Sequence, residues 1–370
     1  MSTVPAQPIS LQQSASPPPV VTGEGTQRLI DRFGRTITDL RVSVTDRCNY
    51  KCVYCRTGNE GAQYSELSLD EYLRMIRIFV ELGIEKVRLT GGEPLLRSGL
   101  ADLVGEIAKL RTRFEPDGTP DGAPSKGAGL RLDIAVTTNG HLLAAQARRL
   151  REAGLTRVTV SMDAVDPAIV TRLTRVPGSY EKVLAGIRAA RDAGLGPVKV
   201  NCVLLRGFND DQIVPFAHFA RAEGIILRFI EFMPLEEDRI WSPNTVIPYD
   251  ELLERLSAVR PLVPLEATAK GETAQRFTFD DGIGEIGIIA PVSRAFCGAC
   301  SRIRLTSDGQ IRTCLFSQSD HDLYGVARRG GSDEDMARFI RRTVHTKEAR
   351  HHIGEAGFLQ PSRSMVHIGG

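Results

Sequence analysis

The sequence predicts an α/β fold in which a parallel sheet forms an open or partial barrel. A helical stretch that ends in glycine and leads into a short apolar strand recurs four times, with strands expected at 86–90, 157–161, 198–201 and 227–231. Two further runs, near 40–45 and 132–138, bring the number of expected strands to six. Strands that alternate with helices indicate a parallel sheet, because each strand is joined to the next by a crossover helix.

Local signals mark the ends of these helices. Ser68 and Glu71 form a capping box that opens a helix running to Leu82. Glycine follows the helices because it accepts the left-handed conformation at a helix C-terminus, and these residues are Gly83, Gly154, Gly194 and Gly224. Residues 115–129, rich in Pro, Gly, Asp and Ser, interrupt the repeated unit and predict a surface insertion to which no role is assigned.

Composition sets the organisation of the chain and excludes several classes of protein. Residues 1–25 contain no Lys or Arg and are rich in Ser, Pro, Gln and Thr, which predicts a disordered tail rather than a targeting signal. Residues 26–235 hold the six strands, and residues 236–370 are expected to form a C-terminal domain. The chain carries 47 basic and 45 acidic residues, a net charge of +2 that gives no general case for nucleic acid. No apolar run is long enough to span a membrane.

Six of the seven cysteines fall into two triplets. Cys48, Cys52 and Cys55 follow the first strand with C-x3-C-x2-C spacing. A structural zinc site takes four protein ligands, whereas a [4Fe–4S] cluster held by three thiolates leaves one iron open to a small molecule. A zinc knuckle and a redox dithiol are the alternatives. The second triplet is Cys297, Cys300 and Cys314.

The remaining cysteine and the total count bear on the compartment. Cys202 lies in an apolar run and is expected to be an inert core thiol. An odd number of cysteines with a C-x2-C pair argues against a secreted disulfide framework and favours the reducing cytoplasm.

Polar residues alternate with apolar ones along the expected strands, so one face of the sheet is polar. Arg41, Arg88 and Lys199 lie on that face, and Glu231 with Met233 is placed there in the last strand. A barrel interior is ordinarily filled by Val, Ile and Leu, and buried cations are costly unless an anion faces them. The pattern therefore predicts a cavity for a polyanionic ligand. The alternative is that these side chains lie in water at the strand ends.

The segment Gly91-Gly92-Glu93-Pro94 follows the second strand directly. Ligand sites gather at the carboxyl ends of parallel strands. Two glycines would let a ligand approach the main chain closely, and Glu93 would offer an acceptor for a ligand ammonium. A simple turn is the alternative.

Taken together, segments 40–55, 88–97, 137–140, 161–163, 229–234, 296–306 and 368–370 resemble the radical SAM GTP 3′,8-cyclases of molybdenum cofactor biosynthesis, the MoaA family. The resemblance covers about residues 26–370. It implies a partial (βα)6 radical SAM barrel with a C-terminal iron–sulfur-binding extension. Ser301 stands where many relatives carry asparagine.

The resemblance also implies roles for individual residues. The first triplet, Cys48, Cys52 and Cys55, would hold a [4Fe–4S] cluster that binds S-adenosyl-L-methionine (SAM). The SAM contacts would be Tyr54, Gly92, Ser161 and Met233. The second triplet, Cys297, Cys300 and Cys314, would hold a second [4Fe–4S] cluster whose open iron binds guanine. The GTP contacts would be Arg41, Arg88, Thr137, Lys199, Arg302, Ile303 and Arg304.

The implied reaction converts GTP to (8S)-3′,8-cyclo-7,8-dihydroguanosine 5′-triphosphate. It needs a one-electron reductant, and a pyranopterin-forming enzyme would act next. The terminal Gly369 and Gly370 are expected to enter the barrel. A radical SAM peptide-modifying enzyme with an auxiliary cluster and a non-enzymatic iron–sulfur sensor are the alternatives. The expected partners include neither nucleic acid nor a membrane, and a homodimer is one option for the assembly.

Overall fold

The computed structural model describes residues 28–55, 63–112, 129–269 and 271–369. The expected N-terminal tail at 1–25 and almost all of the expected insertion at 115–129 lie outside these residues. Within them, no helix combines the length and the apolar character needed to cross a membrane.

The first part of the chain contains the repeated unit that the sequence predicts. Its strands are β1 (Asp39–Ser43), β2 (Lys86–Thr90), β3 (Arg111–Thr112), β4 (Leu130–Arg131), β5 (Asp133–Thr138), β6 (Arg157–Ser161), β7 (Lys199–Leu204) and β8 (Ile226–Glu231). Its helices are α1 (Leu69–Glu81), α2 (Leu100–Lys109), α3 (Leu143–Glu152), α4 (Pro167–Thr174), α5 (Ser179–Asp192) and α6 (Ile213–Glu223). The six predicted strands are therefore confirmed, and β3 pairs with β4 in a small separate antiparallel sheet.

The second part contributes shorter elements. Its strands are β9 (Leu262–Leu265), β10 (Gln275–Phe279), β11 (Glu285–Ile289), β12 (Arg302–Leu305), β13 (Gln310–Arg312) and β14 (His321–Asp322). Its helices are α7 (Tyr249–Ser257), α8 (Leu323–Arg328), α9 (Asp333–His345) and α10 (Met365–Ile368).

One sheet of twelve strands joins both parts, in the order β14-β13-β12-β1-β2-β5-β6-β7-β8-β11-β10-β9. The six predicted strands form its centre, and all their pairings are parallel. The C-terminal part extends the sheet at both edges, because β12 pairs in parallel with β1 and β11 pairs in parallel with β8. The expected division at residue 235 thus follows β8, while the strands beyond it complete the same sheet.

The apolar faces of the strands and the helices build the main core. Leu40, Val87 and Val200 are fully buried, as is Cys202, which lies where the sequence placed it. The predicted helix signals are also present. Ser68 Oγ accepts a hydrogen bond from the Glu71 N–H at 3.2 Å, and Glu71 Oε2 accepts one from the Ser68 N–H at 2.7 Å. The helices pack on the apolar outer face of the sheet, so the polar face is left to line an interior.

Candidate active site

The concave face of the sheet encloses a cavity of about 410 Å³. Inward side chains of the central strands line it, together with both cysteine triplets, and the seven described cysteines form no disulfide with one another. The two triplets lie at opposite edges of the sheet. Cys48 follows β1, at the carboxyl ends of the parallel strands, whereas Cys300 lies two residues before the start of β12, at their amino ends. A ligand between them would therefore span the depth of the barrel.

The loop that carries the first triplet is held against α4. Main-chain N–H groups of Lys51 and Val53 donate to the carbonyls of Thr174 and Leu173, at 3.1 and 3.0 Å. Inside the loop, Cys48 Sγ accepts a hydrogen bond from the Tyr50 N–H at 3.4 Å. These contacts fix the loop so that its three thiols face the cavity.

The glycines at 91 and 92 are required by the same loop. A Cβ at Gly91 would lie 2.3 Å from the Thr45 carbonyl oxygen, and one at Gly92 would lie 2.2 Å from that of Arg47. The Gly92 N–H also donates to the Thr45 carbonyl at 2.8 Å. Both glycines line the cavity, but it is the cysteine loop that leaves no room for a side chain at either position. The sequence alone did not suggest this reason for the two glycines.

Glu93 does not line the cavity, which corrects the expectation that it offers an acceptor for a ligand ammonium. Its carboxylate is fully buried and accepts hydrogen bonds from the Leu95 N–H (2.9 Å), the Thr138 hydroxyl (2.7 Å) and the Asn139 N–H (2.7 Å). Burial raises its pKa to about 7. Glu93 therefore fastens the turn after β2 to the end of β5.

The residues expected to contact SAM surround the first triplet. Tyr54, Gly92, Ser161 and Met233 all line the cavity. The Tyr54 hydroxyl donates a hydrogen bond to the carboxylate of Asp163. This carboxylate is buried, and burial raises its pKa to about 6. The Asp163 side chain also accepts the Val203 N–H at 2.8 Å, which ties the Tyr54 ring to two strands.

Three arginines form a row across the inner face. Arg41 on β1 lies opposite Arg88 on β2 and Arg304 on β12 in the strand register. Burial and like charges lower the pKa of Arg41 to about 10 and that of Arg88 to about 9. Arg88 Nη1 donates to the hydroxyls of Thr137 at 3.0 Å and Thr159 at 3.2 Å, which are neutral groups. The row is thus a concentrated positive charge that a bound anion would relieve.

Lys199 adds to this charge on the other side of the cavity. Burial, then the charges of Arg228 and Arg157, lower its pKa to about 8. Arg157 and Arg228 line the cavity as well, although the sequence reasoning missed both. Arg157 is held by Asp133, with Nε to Oδ1 at 2.8 Å, and Arg228 lies 3.6 Å from Glu272.

The last central strand corrects another expectation. Glu231 faces away from the cavity, where its carboxylate accepts hydrogen bonds from the Val292 N–H (2.8 Å) and the Ser293 N–H (2.9 Å). Arg228 occupies the inward position instead. The signal was present in the sequence, because Arg228 alternates with the apolar Leu227 and Phe229.

The described lining is strongly cationic. Its carboxylates are Asp39, Asp133, Asp163 and Glu272. Its basic residues are Arg41, Lys86, Arg88, Arg157, Lys199, Arg228, Arg302, Arg304 and Lys347. Nine cations against four carboxylates give +5 before the thiols are considered, whereas the whole chain carries only +2. The positive charge is therefore concentrated in the cavity.

Arg302, Ile303 and Arg304 were all expected to contact GTP, but successive side chains on β12 point to opposite faces of the sheet. Arg302 and Arg304 line the cavity, but Ile303 is 1% exposed and packs in the main core. The expectation that Ile303 contacts the substrate is thus wrong for its side chain, which points to the opposite face. The neighbouring Ser301 donates its hydroxyl hydrogen bond to Asp39.

The second triplet lies among cations. Burial alone would raise the pKa of the Cys300 thiol, but the charges of Arg302 and Lys347 outweigh it and lower the pKa to about 6. Arg302 Nη2 also donates to Cys300 Sγ at 3.2 Å. Cys300 is therefore held near the thiolate form that binds metals.

The thiols also fit iron–sulfur clusters by their chemistry and number. Each triplet presents three cysteines to the cavity, and cysteine thiolates are the usual cluster ligands. Among the described residues, no three Cys, His, Asp or Glu side chains converge on a single metal ion. Burial and the nearby Asp163, Cys55 and Cys48 raise the pKa of Cys52. Positive charge bound at this site would stabilise the Cys52 thiolate and so lower this pKa.

The end of the chain closes part of the cavity wall. Met365 and Val366 line it, and the Met365 N–H donates to the Leu235 carbonyl at 3.1 Å. Arg304 Nη1 donates to the Gly369 carbonyl at 2.8 Å. A Cβ at Gly369 would lie 2.5 Å from Thr90 Oγ1, so this position has no room for a side chain. Gly370 lies outside the described residues.

Comparison with known families gives two matches that follow one another along the chain. Residues 42–220 match the Radical SAM superfamily, and residues 225–353 match the family Molybdenum Cofactor Synthesis C.

Solved structures support the fold. Streptococcus suis SuiB bound to S-adenosylmethionine aligns with a TM-score of 0.53 and 14% identity, over 78% of this chain and 64% of that one. Unbound Streptococcus suis SuiB gives a TM-score of 0.55 and 13% identity, over 80% and 65%. At this identity the likeness shows the α/β radical SAM fold alone.

Curated relatives are more similar. The GTP 3′,8-cyclase of Xanthomonas axonopodis pv. citri (strain 306) is 43% identical over 311 residues, 82% of this chain and 88% of that protein. The GTP 3′,8-cyclase of Corynebacterium glutamicum is 42% identical over 371 residues, 98% of this chain and 93% of that protein. That of Mycobacterium sp. (strain KMS) is 43% identical over 350 residues, 93% of this chain and 94% of that protein. The chain belongs to the GTP 3′,8-cyclase family of radical SAM proteins.

Proposed function

We propose that this protein converts GTP to (8S)-3′,8-cyclo-7,8-dihydroguanosine 5′-triphosphate, the first step of molybdenum cofactor biosynthesis. One observation carries the proposal: two thiol triplets at opposite edges of the sheet open onto one cavity whose described lining has a charge of +5. A radical SAM enzyme needs the first triplet, and a polyanionic substrate needs the charge. The family membership supports the identity of both ligands.

The carboxyl end of the barrel serves the cofactor. Cys48, Cys52 and Cys55 would hold a [4Fe–4S] cluster, which with SAM supplies a carbon radical when both are bound. Tyr54, Gly92, Ser161 and Met233 would shape the SAM site, since they line the cavity beside this triplet. The hydrogen bond from Tyr54 to Asp163 would keep the Tyr54 ring in one orientation. The loop contacts to α4 exclude movement of the thiols away from the cavity.

The amino end of the barrel serves the substrate. Lys86, Arg157 and Lys199 are the first residues of β2, β6 and β7, so they gather at this edge. Arg228 joins them from β8. They would neutralise the triphosphate, for which guanidinium groups are suited because their paired N–H donors match phosphate oxygens. The arginine row of β2, β1 and β12, with Thr137, would orient the rest of the nucleotide between this edge and the SAM site.

The proposal includes a second [4Fe–4S] cluster on Cys297, Cys300 and Cys314. Support comes from the three thiols at the cavity wall and from the cations that favour the Cys300 thiolate. Arg302 donates a hydrogen bond to Cys300, so its guanidinium would lie beside this cluster. A cytoplasmic one-electron reductant and a downstream pyranopterin-forming enzyme complete the proposed setting.

Anaerobic reconstitution followed by incubation with SAM, dithionite and GTP tests this function. We expect about eight irons per chain if both triplets carry a [4Fe–4S] cluster, formation of 5′-deoxyadenosine, and a cyclised nucleotide detected by mass spectrometry. Cys202→Ala is the matched control, because it removes a thiol that lies in the core outside both triplets. Stoichiometric zinc without iron, or SAM cleavage that leaves GTP unchanged, would reject the proposal.

A further inference from the structure

The last residues of the chain are held by an ion-pair cluster outside the cavity lining. We define the C-terminal arm as residues 363–369. Arg363, at its start, is 8% exposed and donates from both terminal nitrogens to the two carboxylate oxygens of Asp308, each at 2.9 Å. Its Nε lies 2.6 Å from Asp320 Oδ2. This parallel, charge-assisted geometry is the strong form of an arginine–carboxylate contact.

The partners of Arg363 belong to the part of the fold that holds the second triplet. Asp308 lies in the turn between β12 and β13, and Asp320 directly precedes β14, the strand that pairs with β13. The same hairpin holds the other end of the arm, because Arg304 on β12 donates to the Gly369 carbonyl. The arm is thus fixed at both ends by one hairpin, whose β12 begins two residues after Cys300 and whose β13 ends two residues before Cys314.

The opposite side of the arm contacts the segment that follows the first triplet. The Arg363 guanidinium lies 4.0 Å from the centre of the Tyr64 ring, and the His367 ring packs edge-on against Tyr64 at 5.2 Å. The Tyr64 N–H in turn donates to Asp46 Oδ2 at 3.0 Å, two residues before Cys48. Arg363 therefore contacts both the turn between β12 and β13 and the segment that follows the first triplet.

We propose that Arg363 is the positioning residue that docks the C-terminal arm against the cavity and thereby couples SAM cleavage to product formation. The coupling of SAM cleavage to product formation rests on the proposed function, whereas the docking of the arm does not. Arg363 itself does not line the cavity, so it acts through Met365 and Val366, which do, and through Gly369, which lies against Thr90 of the lining. Loss of Arg363 removes the anchor at the start of the arm and leaves the Arg304–Gly369 hydrogen bond at its end, so we expect the arm to leave the wall more often.

The test compares Arg363→Gln with wild type in the full-length reconstituted protein. Hydrogen–deuterium exchange of the peptide covering 364–370 should accelerate roughly ten- to hundred-fold, the factor that corresponds to loss of one charged hydrogen-bond partner. Exchange in α1 and β5 should stay unchanged, and GTP affinity should be preserved. Cyclised product per SAM cleaved should fall. The matched control is Arg338→Gln, which removes an exposed arginine paired with Asp335 on α9.

A second variant covers the case in which Arg363→Gln fails to fold. Asp308→Asn removes the partner charge while keeping the side-chain shape, and it should accelerate exchange of the same peptide. The double variant should exchange no faster than Arg363→Gln alone, since Asp308→Asn weakens a contact that Arg363→Gln already removes. Unchanged exchange of 364–370 in both single variants would overturn the proposal. If wild type makes no product from GTP, the proposed function fails, whereas the exchange comparison still decides the role of Arg363.

Discussion

Replacing Arg88 by methionine should stabilise the ligand-free protein and weaken GTP binding at the same time. The ordinary arginine pKa lies at about 12.5, and burial beside Arg41, Arg157 and Arg228 lowers that of Arg88 to about 9. A pKa difference of this size corresponds to about 5 kcal/mol at neutral pH, by which the charged form opposes folding. Water in the cavity screens part of this charge, so we expect a gain of about 1–4 kcal/mol, the range seen when buried ions are replaced by apolar side chains.

The expected gain in stability follows from the direction in which folding changes the pKa of Arg88. A base whose pKa is lowered by folding destabilises the folded state at every pH below its folded pKa, here about 9, and this destabilisation fades as the pH rises above that value. Methionine removes it across the neutral range. A bound nucleotide would compensate this charge, and loss of the Arg88 charge should therefore weaken GTP binding roughly ten- to hundred-fold.

Two assays check this prediction. Urea unfolding of the ligand-free protein, followed by circular dichroism, gives the change in stability, and isothermal titration calorimetry gives the GTP affinity. Arg149→Met is the control, since Arg149 is 68% exposed and pairs with Asp102 on the surface, so neither quantity should change. A less stable Arg88→Met protein with unaltered GTP affinity would refute the reasoning and make Arg88 a structural residue.

Three further predictions concern other parts of the site. Cys314→Ala should lower the iron content by about four per chain and abolish the cyclised product while SAM cleavage persists; intact cyclisation would disprove the second site. GTP affinity should be constant below about pH 8, where Lys199 is charged, and should fall by up to about tenfold per pH unit above it. Calorimetry in two buffers would detect the proton taken up, and Lys199→Met should abolish this dependence. Deleting Gly369 and Gly370 should preserve iron content and GTP affinity but sharply reduce product; full activity would show that these two residues are dispensable.

The central sheet and most of its inward face could be predicted because the signals are local. Arg41 and Arg88 each stand between apolar residues within a single short strand, so the face they share is fixed by alternation alone. The capping box at Ser68 and Glu71 is likewise complete within four residues. Such features need no knowledge of the rest of the chain.

The errors at Glu231 and Ile303 have different physical causes. Strand alternation places Glu231 on the same face as Met233, and that face was expected to point inward. However, β8 ends at Glu231. Beyond the strand, the consecutive residues Phe232 and Met233 both line the cavity. Alternation holds only while the strand continues. For Ile303, the resemblance assigned a whole segment to the substrate, although alternation with Arg302 and Arg304 already indicated the opposite face.

Other parts of the site could not be derived from local patterns, because they depend on pairings between distant residues. Pairing of β12 with β1 brings Arg304 beside Arg41, over 260 residues apart in the chain. The clash that excludes side chains at Gly91 and Gly92 arises from the carbonyls of another loop. The anchoring of Arg363 by Asp308 joins a turn to a terminal segment 55 residues away. None of these contacts leaves a periodic signal.

The concentration of charge in the cavity links folding stability to ligand affinity. The nine lining cations and four lining carboxylates leave a net charge of −3 on the rest of the chain, so the global value of +2 conceals the site. The apolar outer face and its helices supply the stability that allows such a lining. Burial lowers the pKa values of Arg41, Arg88 and Lys199, so the charged forms of these three residues oppose folding until an anion binds, and the same free energy is then recovered on binding. Stability without ligand and affinity for a polyanion must therefore change in opposite directions when one of these cations is removed.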